Sequence, residues 1–307
     1  MKRLVLIDGH AILHRAYHAF PQTLKTRRGE LINAVYGFTR ILLSVLEKLH
    51  PEYVAVSFDL PEPTFRHKEY VGYQIQRPQM DEELKGQIER VFQIVKALNI
   101  PIFAVSGYEA DDIIGTLARQ AEKKKTEAII VTGDKDMMQL INKRVKIYAP
   151  QKGLAEGEIF DRQKVKNELG IFPEQVVDYK GLTGDASDNY PGVPGVGPKT
   201  AGDLLGKFGT LDNIYRKIKK IENKKLREKL IDGKESADLS KSLAKIVTNV
   251  PIKLDLQACR VHDYDRQKAV GLFEELGFRS LIDKLPGARE NQESRIKNKV
   301  SKQMTLI

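Results

Sequence analysis

The tightest constraint on this chain is an alternation of two periodicities. Short runs rich in Val and Ile at residues 3–7, 53–58, 101–105, 128–132 and 145–149 are separated by stretches with helical spacing. Runs this short, apolar on consecutive residues, suit strands buried on both faces of a parallel sheet. Between them, Val35, Phe38, Leu42, Val45, Leu46 and Leu49 form one helical stripe, and Leu84, Ile88, Val91, Phe92, Val95 and Leu98 another. The alternation predicts a doubly wound, mostly parallel α/β sheet with right-handed crossovers. After about Gly181 the strand signals fade, a Gly/Pro-rich passage covers residues 190–200, and helical segments run to about Leu285. The expected organisation is an α/β domain over 1–180 and a smaller helical domain over 181–287. A disordered tail is expected over 288–307, where apolar periodicity is lacking.

Acidic residues fall where the strands end. Asp8 follows the first run and Asp59 the second. Glu109, Asp111 and Asp112 follow the third after a Ser-Gly-Tyr turn, and Asp134 and Asp136 follow the fourth after Gly133. In an open parallel sheet, residues just beyond the carboxyl ends of the strands face one crevice. Four strands therefore deliver seven carboxylates to one place. Like charges a few ångströms apart raise each other's pKa, so such a cluster must take up protons or hold cations. Oxygen ligands without cysteine favour Mg2+ or Mn2+, and a pair of such ions suits in-line phosphodiester hydrolysis. Any single acid here reads equally well as a helix N-cap, since residues 109–112 also open an obvious helix over 113–124. The coincidence of seven favours a site. Asp185 and Asp188, at i, i+3 beside Gly184 and Asn189, share a face of any helical turn formed there.

A glycine-rich segment follows directly. Gly192, Gly195 and Gly197 lead into Lys199 and Thr200 and a helix carrying Ala201, Leu204, Leu205 and Phe208. Glycines let phosphates approach backbone N–H groups, and a helix N-terminus adds a favourable dipole. The same residues would serve a tight turn between helices. The Gly-x-x-x-x-Gly-Lys spacing of a Walker A loop is absent. Fifty-one Lys and Arg against 41 Asp and Glu give a formal charge of +10, in keeping with a polyanionic partner. Cys259 is the only cysteine, so no internal disulfide forms. With no apolar run near membrane-spanning length, a cytoplasmic setting is expected.

Taken in order, these segments resemble the 5′ nuclease family, in particular the 5′→3′ exonuclease domain of bacterial DNA polymerase I and its flap endonuclease relatives. The matching residues are Leu6-Ile7-Asp8-Gly9 with Arg15-Ala16-Tyr17-His18-Ala19-Phe20, and Phe58-Asp59 with Thr64-Phe65-Arg66. They continue with 105–116 around Glu109, Asp111 and Asp112, with Thr132-Gly133-Asp134-Lys135-Asp136-Met137, and with Gly184-Asp185 through Lys199-Thr200-Ala201. The match covers about residues 2–285. It implies a PIN-like α/β nuclease domain with a helical arch or gateway over about 62–90. It also implies a helix–three-turn–helix element at about 181–210 that grips duplex DNA through phosphates, with a monovalent cation such as K+ on backbone carbonyls. Two Mg2+ or Mn2+ ions are implied on nine acids: Asp8, Asp59, Glu109, Asp111, Asp112, Asp134, Asp136, Asp185 and Asp188. Arg15 is implied at the scissile phosphate, Tyr73 and Arg77 at the terminal nucleotides, and Gly192, Gly195, Gly197, Lys199 and Thr200 at the duplex. The implied activity is metal-dependent 5′→3′ exonuclease and 5′-flap endonuclease hydrolysis of DNA in primer removal and repair, by a monomer. Whether the chain stands alone or fronts a longer polymerase is left open.

One position departs from the family. Relatives carry Tyr-Lys-x-x-Arg in the gateway, whereas here Gln74 follows Tyr73 and Arg77 closes the motif. Arg77, Arg15 or Lys68 must then supply the cation, or catalysis slows. His10, His14 and His18, at i, i+4, i+8, lack Cys or acidic partners on that face, which speaks against zinc. The segment Gln303-Met304-Thr305-Leu306-Ile307 is similar to the Gln-x-x-Leu-Phe peptide by which bacterial replication proteins dock on the sliding clamp, a match short enough to arise by chance. Two rival readings are a branched-DNA binder without efficient chemistry and a PIN-type RNA nuclease. The intact acids argue against the first and the duplex-gripping element against the second.

Overall fold

The computed structural model describes residues 2–151, 157–261 and 263–287. The tail expected over 288–307, with the clamp-like peptide at 303–307, lies outside the described residues. In chain order the elements are β1 (Arg3–Asp8), α1 (Gly9–Ala19), α2 (Asn33–Leu49), β2 (Tyr53–Ser57), α3 (Phe65–Glu69), α4 (Glu82–Ala97), β3 (Ile102–Phe103), α5 (Ala110–Lys123) and β4 (Glu127–Val131). They continue with β5 (Val145–Pro150), β6 (Gly157–Phe160), α6 (Arg162–Leu169), α7 (Val176–Thr183), α8 (Pro198–Phe208), α9 (Leu211–Arg216), α10 (Lys224–Asp232), α11 (Lys234–Ala244), α12 (Arg266–Glu275) and α13 (Arg279–Ile282).

The sheet runs β3-β2-β1-β4-β5-β6, with parallel pairing throughout except for β6, which runs antiparallel to β5. The doubly wound, mostly parallel architecture expected from the sequence is therefore present. Two strand readings need correction. The third run pairs over Ile102 and Phe103 only, because it is an edge strand and turns away toward Gly107, which adopts φ +85°. The sixth strand went unread because only Phe160 of it is buried, so it carries no apolar signature.

Alternation along the strands builds two cores. Leu4, Leu6, Ala128 and Ile130 face α5 on one side, while Val5, Ile7, Ile129 and Val131 face α1, α2 and α4 on the other. Full burial of one such side chain contributes about 1.5–3 kcal/mol. The helices from α7 to α11 share the first core: Leu182, Val196, Leu205 and Ile214 join the residues of α5. The expected boundary at 180/181 falls inside α7. The chain then returns. Val54 N–H donates to the Cys259 carbonyl at 2.7 Å, and α12 and α13 lay Ala269, Phe273, Phe278 and Leu281 on the second core beside α2 and α4. Residues 263–287 thus cover the α/β unit and do not extend the small helical one.

The expected arch is shorter than 62–90. From Glu82 onward the chain is α4, a core helix with Leu84, Val91, Ile94 and Val95 buried and Gln87 bonded to Ala34 N–H at 2.9 Å. What remains, about 62–81, is the five-residue α3 followed by turns. Among the described residues no helix is long and apolar enough to cross a membrane.

Candidate metal centre

β1 and β4 are adjacent, and their onward connections leave toward opposite edges, so the crevice at their carboxyl ends is the switch point of the sheet. Asp8, the last residue of β1, caps α1 by accepting from Ala11 N–H at 3.0 Å, and its other oxygen accepts from Thr132 Oγ1 at 2.8 Å. Burial, reinforced by the charges of Asp59 and Asp134, pushes Asp8 up to about 6 despite those hydrogen bonds. Asp59 accepts from Ala110 N–H at 2.7 Å and faces His10 Nδ1 at 3.2 Å. Burial raises its pKa, but His10, the Ala110 N–H and the charge of Arg77 outweigh that and leave it lowered. Asp111, in the first turn of α5, is raised well above the usual range by burial and then by Asp134, Asp8, Asp59 and Glu109. Glu109 is pushed up to about 7, mainly by burial. These acids occupy one shared field, as their placement after strand ends predicts.

A second group adjoins the first. Asp134 accepts from Asp136 N–H at 2.7 Å. Burial and Asp134 push Asp136 up to about 6, although its Oδ1 lies 2.5 Å from Lys180 Nζ. The same ammonium contacts Asp185 Oδ2. Asp185 Oδ1 accepts from Ser187 N–H, Ser187 Oγ and Asp188 N–H, so that Lys180 and Ser187 override burial and hold it at about 2. Asp188 accepts from Gln74 Nε2 at 3.0 Å and Tyr73 Oη at 3.4 Å.

Three expected roles change. Asp112 is fully buried and receives a bidentate Arg66 guanidinium at 2.8 and 2.9 Å, Val247 N–H at 2.8 Å and Glu109 N–H at 3.2 Å. Both of its oxygens are thus taken up by protein donors, an arrangement that suits an anchor beneath the site better than the expected metal ligand. Tyr73 is 4% exposed, with its hydroxyl 3.2 Å from Glu109, and presents no ring face to a nucleotide. Gly192 is buried, its N–H donating to Ser240 Oγ at 2.9 Å and its carbonyl accepting from Ser236 Oγ at 2.7 Å. A Cβ there would lie 2.2 Å from Gly184 N, so this glycine closes a turn instead of meeting phosphate. Gly195, Gly197 and Lys199 are exposed and Thr200 half-buried around the start of α8, where Gly197 is the N-cap. Arg77 is exposed. Gln74 is tied to Asp188 through its backbone N–H as well, at 2.9 Å, and sits at φ +54°.

Arg66, Lys180, Thr132 and His10 also contact the acids of the crevice, roles that no local motif announces. Arg66 stands in a polar run, between Thr64-Phe65 and His67-Lys68-Glu69, so nothing local marks it as buried.

Among the described residues no three acid, imidazole or thiol groups converge on one point at ligating distance. Hydrogen bonds to Thr132, Ala110, Gln74 and Lys180 spread them around the crevice. The donor set nonetheless fits a hard divalent ion: it is all oxygen, half-buried, and loaded with more negative charge than its neighbours neutralise. Arg15 adds a complementary feature, since its Nε is buried without a partner and its Nη1 approaches Gly133, next to Asp134.

Fold and site define a class, the α/β nucleases that gather acids at the switch point of a parallel sheet. Residues 3–170 match the model of the 5'-3' exonuclease N-terminal resolvase-like domain, and residues 171–267 that of its C-terminal SAM fold. DNA polymerase I of Bacillus caldotenax is 42% identical over 292 residues, 95% of this chain and 33% of the relative. That of Chloroflexus aurantiacus is 44% identical over 290 residues, 92% of this chain and 31% of the relative. The chain spans about a third of the length of these curated relatives. A solved complex of bacteriophage T5 flap endonuclease with DNA and metal ions shares the fold, with a TM-score of 0.66 at 19% identity, covering 90% of this chain and 100% of that one. The chain belongs to the 5'-3' exonuclease family, as the sequence motifs indicate.

Proposed function

We propose that this chain hydrolyses DNA at 5′ ends and 5′ flaps with two divalent ions, Mg2+ or Mn2+, held among Asp8, Asp59, Glu109, Asp111, Asp134, Asp136, Asp185 and Asp188. One observation carries the reading. Carboxylates from four strand ends and from the loop after α7 border one crevice, where burial and then neighbouring acids raise Asp8, Glu109, Asp111 and Asp136, and which also holds the unpaired Arg15 N–H. The bound ions would supply an activated water and stabilise charge on the attacking and leaving oxygens. The chain's own groups do the positioning. Arg15 donates to a non-bridging phosphate oxygen, and Arg77 attracts the terminal phosphates from the gateway. The N-terminus of α8, with Gly195, Gly197, Lys199 and Thr200, receives duplex phosphates, and loop carbonyls there take a monovalent cation. The T5 relative captured with DNA and metal ions supports both the substrate and the cofactor. Hydrolysis leaves a 5′-phosphate. Primer removal and repair are the settings for such a reaction, by a monomer that uses residues 303–307 to reach a sliding clamp.

Cleavage of a labelled 5′-flap duplex tests this reading. Mg2+ should give 5′-phosphorylated fragments and EDTA none. Asp111→Ala should lose at least about 100-fold in rate while still binding the duplex, because the acid belongs to the ion site and not to the DNA grip. Cleavage that persists in EDTA or in Asp111→Ala defeats the reading, and equal cleavage of an RNA flap defeats its substrate assignment.

A further inference from the structure

The two acid groups are not equivalent in charge. In the strand-end group Asp59 faces His10 and Glu109 faces Arg66, but among the described residues Asp8 and Asp111 form no ion pair, so no cation is seated on their oxygens. The neighbouring group has its own cation. Lys180, in the last turn of α7, places its ammonium 2.5 Å from Asp136 Oδ1 and in contact with Asp185 Oδ2. The Lys180 side chain is only 16% exposed, and those of the two aspartates 15% each. Asp185 has no spare oxygen: Oδ1 is bound to Ser187 and Asp188, and Oδ2 faces the lysine. Asp136 is likewise held from the Lys180 side. Any divalent ion approaching this pair meets a positive charge already seated on the oxygens it needs.

We infer that Lys180 is a resident counter-cation, which the second of the two proposed ions must displace, so that the two ions bind in sequence and with unequal affinity. The first goes to the group around Asp8 and Asp111. The second exchanges with an ammonium in a poorly solvated position, where both charge repulsion and lost hydrogen bonds oppose it. Lys180 is in this sense a positioning residue. The inference rests on the two-ion reading above and adds which ion is weak and why.

Calorimetric titration of Mn2+ into the whole chain, without DNA, tests it with no reference to activity. Wild type should show a tight and a weak event. Lys180→Gln should tighten the weak event by about tenfold or more and leave the tight one within about twofold, whereas Lys180→Arg should behave as wild type. A weak event that is unchanged or weaker in Lys180→Gln overturns the inference while leaving the nuclease reading intact. Absence of any Mn2+ binding by wild type overturns both. A second measurement needs no substitution. In protein labelled with 15N-lysine, the signal of the shielded Lys180 ammonium should vanish over the Mg2+ range that saturates the weak event. Persistence of that signal at saturation is equally fatal.

Discussion

Replacing Arg66 with Met isolates the pair that anchors the site from beneath. Arg66 is 2% exposed, and Asp112 is completely buried. Besides its two bonds to Asp112, the guanidinium reaches Glu109 Oε2 at 3.1 Å, the Leu243 carbonyl at 2.9 Å and the Lys245 carbonyl at 2.9 Å, so it ties α3 to both α5 and the end of α11. Removing one partner of a buried ion pair costs about 3–5 kcal/mol, because the other charge is stranded. Each carbonyl left without its donor adds about 1 kcal/mol. The expected loss is about 4 kcal/mol or more, a large share of the 5–15 kcal/mol typical of a folded chain. Urea unfolding at pH 7.5, read as a midpoint shift at constant slope, measures it. The double variant R66M/D112L leaves no charge stranded and should recover about 2 kcal/mol. Recovery stays partial because Val247 and Glu109 then lose an acceptor. A loss below about 1 kcal/mol in the single variant, or a double variant no more stable than the single, would refute the claim that Asp112 is held structurally.

Two further predictions concern charge in the crevice. Asp8 and Asp136 sit at about 6 and Glu109 at about 7, against ordinary values of 3.8, 3.8 and 4.5. The folded metal-free chain therefore keeps protons that the unfolded chain has released, and its stability falls as pH rises from about 4 to 7, by up to roughly 3 kcal/mol per group. Asp185, held at about 2, acts oppositely and only in more acid solution. Melting temperature in EDTA should thus be higher at pH 5.5 than at pH 8, and the gain on adding Mg2+ should be larger at pH 8; a gain that is equal or greater at pH 5.5 contradicts the account. Gln74→Lys restores a cation at the gateway, so turnover on a flap substrate should rise roughly tenfold. An unchanged or slower rate rejects that role for the position.

How much was legible depended on the range of the interactions involved. Strand ends and the acids after them are local, so Asp8, Asp59, Asp111 and Asp134 could be placed at one crevice from order alone, and the shared electrostatics of Asp111 agree. Which acid of a helical turn points where is not local. Successive residues on a helix are about 100° apart, so Asp111 faces the crevice while its neighbour Asp112 faces inward to Arg66, a partner 46 positions away. Lys180 hid for a similar reason: a lysine near a helix end is normally a solvated terminus, and only the fold brings Asp136 to it. Gly192 looked like its exposed neighbours because glycine serves a turn and a phosphate loop equally well. The return of α12 and α13 left no trace, since an amphipathic stripe records that a face is covered but not by what.

That return also sets the timing of folding. The surface of α2 and α4 that Ala269, Phe273, Phe278 and Leu281 shield is translated long before those residues emerge from the ribosome. A nascent chain therefore displays a bare, sticky flank through most of its synthesis, the circumstance in which chaperones are recruited and aggregation competes. Contacts so distant along the sequence are also slow to form. A break in the backbone between the two family segments would leave each half with an unshielded interior, giving both a common fate.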